Sequence, residues 1–326
     1  MKPDAFVSDL QRKPEVLARL ALMLSEANPW AALVPADTER VVLLGMGSSA
    51  YAGAVAAARL RSRGVLAAAE LASSALMPDW GPRTLVVATS ASGGSAETLD
   101  ALTRLRGGAV TVALTNTAGS PLTERCDAVV TLEADVEHGG VACRSYQHTL
   151  ALLLALECHL LGTDTAALAA SIDSAAAATA HLLDSENDWL PEASELLLGP
   201  SGTYLAAPAH RFCSAQQGAL MVREGPRLTA AACETGDWSH VDVYLTKTSD
   251  YRLLVFAGSP WEAQLAEWTT ARGSTVVGVG GDVPGARYVL RYPGDGDDDV
   301  ALLTEVLVPE LIAARKWQLV TGESAG

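Results

Sequence analysis

An α/β protein with two successive parallel sheets is what this sequence predicts, on three observations. Short runs rich in Val, Leu and Ala, such as Val41–Leu44 and Thr84–Thr89, lead straight into Gly/Ser turns and then into Ala-rich helical stretches. That strand, turn, helix unit recurs along the chain, which is the pattern of parallel strands joined by crossover helices. The chain has 326 residues, enough for two domains of about 100–200 residues each. Its composition is 49% hydrophobic, 5% aromatic and 19% charged, so Ala-lined helices can pack on Val/Leu strands and there is no case for disorder.

The elements follow in order. A helical stretch, Pro14 to Glu26, lies in an N-terminal helical segment of residues 1–27. Strand Val41–Leu44 ends in Gly45-Met46-Gly47-Ser48-Ser49, and a helix covers Tyr51 to Arg63. A strand near Val65–Ala69 precedes strand Thr84–Thr89, which ends in Ser90-Ala91-Ser92-Gly93-Gly94-Ser95. A helix over Ala96–Leu105, strands Val110–Leu114 and Ala128–Leu132, and a helix over Ser145–Leu161 complete a first domain, 28–163. Residues 164–194, Ala-rich from Thr165 to Leu183, read as a helical connection. The pattern then restarts in a second domain, 195–326. It has strands Thr203–Ala207, Leu228–Cys233, Arg252–Ala257, Thr275–Val279 and Tyr288–Arg291, with helices Phe212–Arg223, Trp261–Ala271 and Val300–Trp317. The similar order of the halves predicts an internal duplication that shares architecture more than residues.

Charge narrows the function classes. With 23 basic and 38 acidic side chains the net charge is −15, which repels polyanions and argues against nucleic acid or an anionic membrane as a partner. The most apolar segment, Leu150 to Leu161, contains Glu157 and His159 and is shorter than the ~20 residues of a membrane span, so it reads as a buried helix. No apolar run follows the first residues, so no secretory signal is expected and a cytoplasmic location is. Cys126, Cys143, Cys158, Cys213 and Cys233 are odd in number without a CxxC, which predicts reduced thiols. His148, His159 and His210 lack metal-ligand spacing, and the acidic turn Gly294–Asp299 lacks the frame of a calcium loop. No metal or cofactor is expected.

The chemistry concentrates in the turns. Ser90, Ser92 and Ser95 surround Gly93 and Gly94 after a strand and before a helix, where outward N–H groups and hydroxyls can hold an anion without a full positive charge. Alone, the same turn reads equally as a helix cap. Gly47-Ser48-Ser49, then Ser90 to Ser95 about forty residues later, then Glu137-His138-Gly139-Gly140-Val141-Ala142, together resemble the sugar isomerase (SIS) domain family, which includes the isomerase half of glucosamine-6-phosphate synthase. The resemblance implies two tandem SIS domains, each a flavodoxin-like three-layer unit of parallel sheet flanked by helices. It implies phosphate contacts from Gly47, Ser48, Ser49, Ser90, Ser92, Gly94 and Ser95, and sugar contacts from Val141, Ala142 and Cys143, where Cys143 stands in place of a serine. Ala91 and Gly94 replace the family's Gln and Glu in the phosphate loop.

The resemblance extends through Gln217-Gly-Ala-Leu-Met-Val-Arg-Glu224 to Thr235-Gly-Asp-Trp-Ser-His240. It implies that Glu224 is the enolising base and His240 the ring-opening imidazole, the latter serving a neighbouring subunit of a homodimer with shared active sites. A carboxylate suits a proton shuttle between adjacent carbons of an open-chain sugar phosphate, and a histidine suits hemiacetal opening. Read without the resemblance, Glu224 closes a helix in solvent, His240 follows a surface turn, and Trp238 is core. Met221 replaces a family lysine, and neither an amidotransferase domain nor the family's tail lysine is expected. The turn Gly258-Ser259-Pro260-Trp261 lacks a serine cluster, so phosphate is expected in the first domain alone. These features imply an enzyme on a 6-phosphorylated amino sugar, an isomerase or deaminase. A dehydratase on the same substrates, or a non-catalytic phosphosugar sensor, is the alternative.

Overall fold

The computed structural model describes residues 1–323, and two five-stranded, wholly parallel sheets carry the architecture. Helices α1 (Pro3–Gln11) and α2 (Lys13–Glu26) come first. The first sheet and its helices are β1 (Arg40–Gly45), α3 (Ser48–Ser62), β2 (Leu66–Leu71), β3 (Thr84–Thr89), α4 (Ala96–Arg104), β4 (Val110–Thr115), β5 (Ala128–Thr131) and α5 (Arg144–Leu160). After α6 (Ala166–Asp184) and α7 (Glu186–Leu197) the second sheet is built from β6 (Thr203–Ala207), α8 (Phe212–Glu224), β7 (Ala230–Glu234), β8 (Arg252–Phe256), α9 (Glu262–Ala271), β9 (Thr275–Val279) and β10 (Tyr288–Leu290). Helices α10 (Asp298–Thr304) and α11 (Leu307–Glu323) close the chain's described part.

The first sheet has strand order β2-β1-β3-β4-β5 and the second β7-β6-β8-β9-β10, so the two wind alike. In the first, alternation sends Val42, Leu44, Val86, Ala88 and Ala113 to one face, where they meet Leu99, Ala101 and Leu102 of α4. On the other face Leu43 lies against Gly53 of α3, where a Cβ would come within 3.2 Å of the Leu43 Cβ. Burial on both faces explains the unbroken apolar strands. All six residues of β3 are buried, and each large apolar one contributes about 1.5–3 kcal/mol. In the second sheet Trp238 is wholly buried, and its Nε1 donates to the Tyr251 hydroxyl at 2.9 Å, which in turn donates to Asp242 at 3.1 Å. Trp238 is therefore a core residue.

The packing divides the chain elsewhere than at residues 27, 163 and 194. One compact unit is Val16–Val136 with Arg144–Ile172; the other is Met1–Glu15, Glu137–Cys143 and the chain from Asp173 onward. Two features absent from the sequence reading explain the second. Helix α1 packs on α11, with Phe6 and Trp317 ring centroids 6.1 Å apart. Helix α7, expected as part of a connection, packs on β8 and β9 of its own sheet.

Smaller differences have local causes. The single C-terminal helix expected from Val300 is two, and Glu305, in the break, is buried against Arg211. In the acidic Gly294–Asp299 turn, Asp297 caps α10 by accepting from the Asp299 and Val300 amides. One helix, α6, is long and apolar enough to cross a membrane by length and composition, with mean hydropathy 1.3 and 44% of its span buried. Of the stretch expected to be a buried helix, Leu150 to Leu161, residues 150–157 are buried in α5 and the last four, at its end, are half-buried. Among the described residues there is no cluster of His, Cys, Asp or Glu suited to a metal ion.

Candidate active site

In the first sheet the winding reverses between β1 and β3, which leaves a crevice at the carboxyl ends of those strands. Parallel pairing sets Leu44 opposite Ala88, so Gly47–Ser49 and Ser90–Ser95 emerge at the same end of neighbouring strands. The second loop is clasped from behind: the Ser90 amide donates to Leu114 O, the Asn116 amide to Ala91 O and the Leu122 amide to Gly93 O, at 3.0–3.1 Å. Gly93 has φ +64°, and a Cβ there would stand 2.0 Å from the Ser120 Oγ. Only glycine fits this turn.

The serines divide into two kinds. Ser95 caps α4: its Oγ accepts from the Thr98 amide at 3.3 Å and donates to Glu97 at 2.9 Å. The Ser92 Oγ accepts from the Gly94 amide at 3.3 Å. The hydroxyls of Ser48, Ser49 and Ser90, by contrast, make no hydrogen bond with any described residue. They are donors at a switch point beside the N-terminus of α3, an arrangement that can receive an anion. Glu97 is exposed, and its own backbone N–H, then the Ser95 hydroxyl, hold its carboxyl below the usual range.

The second sheet's crevice, between β6 and β8, is filled by the chain itself. Glu262 accepts from the Gly258 amide at 2.6 Å and the Ser259 amide at 2.8 Å. Arg211, buried, donates to Ala257 O and pairs with Glu305 at 3.1 Å. Glu262 reaches back from the first turn of α9 to the Gly258 and Ser259 amides, while the Ser259 Oγ accepts from the Trp261 amide at 3.3 Å; the matching span in the first sheet, Ser95 to Thr98, ends in a neutral, buried Thr98. A carboxylate occupies the amides in one loop and none of this kind does in the other.

Glu224 ends α8, and burial raises its carboxyl above the ordinary value, with Arg223 opposing the shift. Gln217, Met221 and Glu224 are spaced i, i+4, i+7 and share a helix face. On that face the Gln217 Nε2 donates to Ala142 O at 3.0 Å. The Glu137–Cys143 segment is thereby tied to the helix that carries Glu224, within one unit. Val141 and Cys143 are buried and Ala142 is half-buried, so this segment offers main-chain groups and not the Cys143 thiol. A cavity of about 340 Å³ is lined by the residues after Glu224, Gly225 to Arg227, together with Met1, Trp317 and Thr321; Glu224 itself does not line it.

His240 is exposed and lines a different, open cavity of about 320 Å³ with Glu234, Gly236, Asp237, Trp261 and Gln264. The Glu234 carboxylate takes the Gly236 and Asp237 amides at 2.8 and 2.9 Å. Glu224 does not border that cavity. His138 is an exposed loop residue. His148 is buried, with its Nδ1 against Leu132 O at 2.7 Å; burial, with Arg144 assisting, pushes its pKa down to about 4. Sequence reasoning missed Asp9, Glu262 and the part played by Gln217. The Ser259-x-x-Glu262 spacing was a readable signal for the second of these.

An open donor loop at the switch point of a parallel sheet is the class of site that the first unit presents, and residues 36–157, which span that sheet, match the SIS domain family. That stretch of the chain is thus similar to a SIS domain. It is 28% identical over 316 residues to the glutamine–fructose-6-phosphate aminotransferase (isomerizing) of Aeropyrum pernix, a match covering 91% of this chain and 51% of that protein. The same enzyme of Pyrobaculum aerophilum is 25% identical, covering 85% and 48%. The chain thus spans about half the length of these curated relatives. Its fold is that of the C-terminal domain of the Francisella tularensis glucosamine-fructose-6-phosphate aminotransferase, with TM-score 0.85, 18% identity and coverage of 98% and 96%. The Thermotoga maritima glucosamine-6-phosphate deaminase has TM-score 0.75, 18% identity and coverage of 97% and 95%.

Proposed function

We propose that the protein is an enzyme on 6-phosphorylated amino sugars, working by ring opening and enolisation as an isomerase or deaminase, with a diverged second SIS domain around its second sheet. Glu224 carries the reading: a carboxylate with a raised pKa, on a helix face tied to the Glu137–Cys143 segment. The relatives named for amino-sugar phosphates support the substrate class. Ser48, Ser49 and Ser90 supply the phosphate donors, and the self-filled second loop supports one phosphate per chain.

The chemistry assigned to Glu224 is a proton shuttle. In an open-chain 2-amino aldehyde it takes the proton from C2, and an enol-amine forms as the C1 oxygen gains a proton. Return of the proton to C1 leaves a carbon–nitrogen double bond at C2. Water adds there, ammonia leaves, and the product is the ketose phosphate. Without a nitrogen at C2 the same shuttle is a plain aldose–ketose isomerisation. His240 assists ring opening from a neighbouring copy, a reading supported by its exposure in a cavity that Glu224 does not border.

The test uses glucosamine 6-phosphate and N-acetylglucosamine 6-phosphate. Glu224→Gln retains binding of the consumed substrate and loses turnover by roughly 10²–10⁴-fold. Release of ammonia, loss of water or unchanged mass separates deaminase, dehydratase and isomerase. Tight binding without turnover by the unsubstituted protein identifies a sensor and overturns the reading. Mixing inactive Glu224→Gln and His240→Ala chains restores activity if His240 serves a neighbouring copy; absence of rescue in mixed oligomers refutes that part.

A further inference from the structure

The Glu137–Cys143 segment lies between β5 and α5 in sequence, yet it packs with the N-terminal helix and the second sheet. Its middle and its C-terminal end are held there, and a bond within the segment joins its two ends. The Gly139 amide donates to Asp9 Oδ2 at 2.6 Å, and Gly139 O accepts from the Lys2 amide at 3.1 Å. Gly139 lies so close to α1 that a Cβ would stand 2.7 Å from the Phe6 Cα. The Cys143 amide donates to Glu137 Oε1 at 2.7 Å. The Gln217 Nε2 donates to Ala142 O, and the opposite amide orientation would set two acceptors face to face.

These anchors are themselves rigidly seated. Asp9 and Gln217 are buried, and the start of α2 is pinned by a Lys13–Glu310 ion pair in which both side chains are wholly buried. Where the groups offered to a ligand are main-chain atoms, their placement depends on the backbone being fixed.

We propose that Gln217, through Ala142, and Asp9, through Gly139, are positioning residues that hold the Glu137–Cys143 segment in its sugar-binding conformation, so that helix α1 is a working part of the site. The inference rests on the amino-sugar phosphate reading above. It assigns sugar affinity, but not phosphate affinity, to these two residues, since the serine loop lies in the other unit.

Glucosamine 6-phosphate and inorganic phosphate are titrated calorimetrically into the full chain. Gln217→Leu and Asp9→Ala each weaken the sugar phosphate about tenfold, the scale of one buried hydrogen bond, and change inorganic phosphate by no more than about twofold. Asp9→Asn, which keeps an acceptor oxygen for the Gly139 amide, recovers sugar affinity. Hydrogen exchange provides a readout independent of ligand: the Gly139 and Cys143 amides exchange faster in Gln217→Leu, while β3 amides do not. If the unsubstituted protein binds the sugar phosphate and the variants bind it equally well, the positioning roles are wrong and the proposed function stands. If both ligands weaken together, the residues merely stabilise the fold and the inference also fails. If the unsubstituted protein binds neither ligand, the functional reading fails, and unchanged exchange at Gly139 and Cys143 then refutes the positioning roles separately.

Discussion

Replacing Gly93 with alanine should damage the serine loop, whereas the same change at its neighbour Gly94 should not. At Gly93 the backbone has φ +64°, which costs an L-residue about 1–2 kcal/mol. The new Cβ would stand 2.0 Å from the Ser120 Oγ and 2.4 Å from its Cβ, and Ser120 is itself buried. Relieving such a contact costs about 1–3 kcal/mol more, for a total of roughly 2–5 kcal/mol. Gly94 has no positive φ and only the Ser92 Oγ at 3.9 Å near its Cβ position, so its change stays within about 0.5 kcal/mol. Urea denaturation of the two variants measures the difference. Gly93→Ala combined with Ser120→Gly removes both close contacts and recovers the steric share, leaving the backbone cost. Equal stability of the two single variants, or no recovery in the double, would refute this account of the loop.

Two further outcomes can be measured alongside the tests above. As the proposed base Glu224 must be ionised, and burial raises its pKa, so activity should fall as pH drops through a value above the ordinary 4.5; an acid limb at or below that value would remove it as the base. Glu262→Thr, which copies Thr98, frees the Gly258 and Ser259 amides. It should add a second, weaker inorganic phosphate per chain in calorimetry while costing about 1–3 kcal/mol of stability through the two lost amide hydrogen bonds. A count that stays at one would show that Glu262 does not keep anions out.

The two sheets were legible because their central strands, β1 and β3 in the first and β8 in the second, are buried on both faces and lead into turns that contain glycine. The run Thr84–Thr89 is β3 residue for residue, and Val41–Leu44 lies inside β1. The serine loop was legible as a loop, but the division of labour within it was not. Ser95 caps and Ser90 does not, because Thr98 and Glu97 claim one hydroxyl and no described residue claims the other. Helix α1 had readable start signals, Pro3 at its first position and Asp4 in its first turn. What it packs against was not readable, since Phe6 meets Trp317 from the far end of the chain. Asp9 and Gln217 were silent for the same reason: a polar residue in a helix declares its role only when the distant backbone group it serves is known.

The buried Lys13–Glu310 pair joins residues 297 positions apart, which bears on how the chain is made. During synthesis, Lys13 and the apolar face of α1 leave the ribosome long before Glu310 and Trp317 exist to receive them. At about 5–20 residues per second that interval is tens of seconds. The first sheet, whose strands all lie between Arg40 and Thr131, can close in that time. Helix α1 cannot seat, and neither can the Gly139 turn that rests on it. The seating of the Gly139 turn is therefore set by the last helix to emerge, and a nascent chain paused after α5 would hold a finished serine loop while the Glu137–Cys143 segment still lacked its partners.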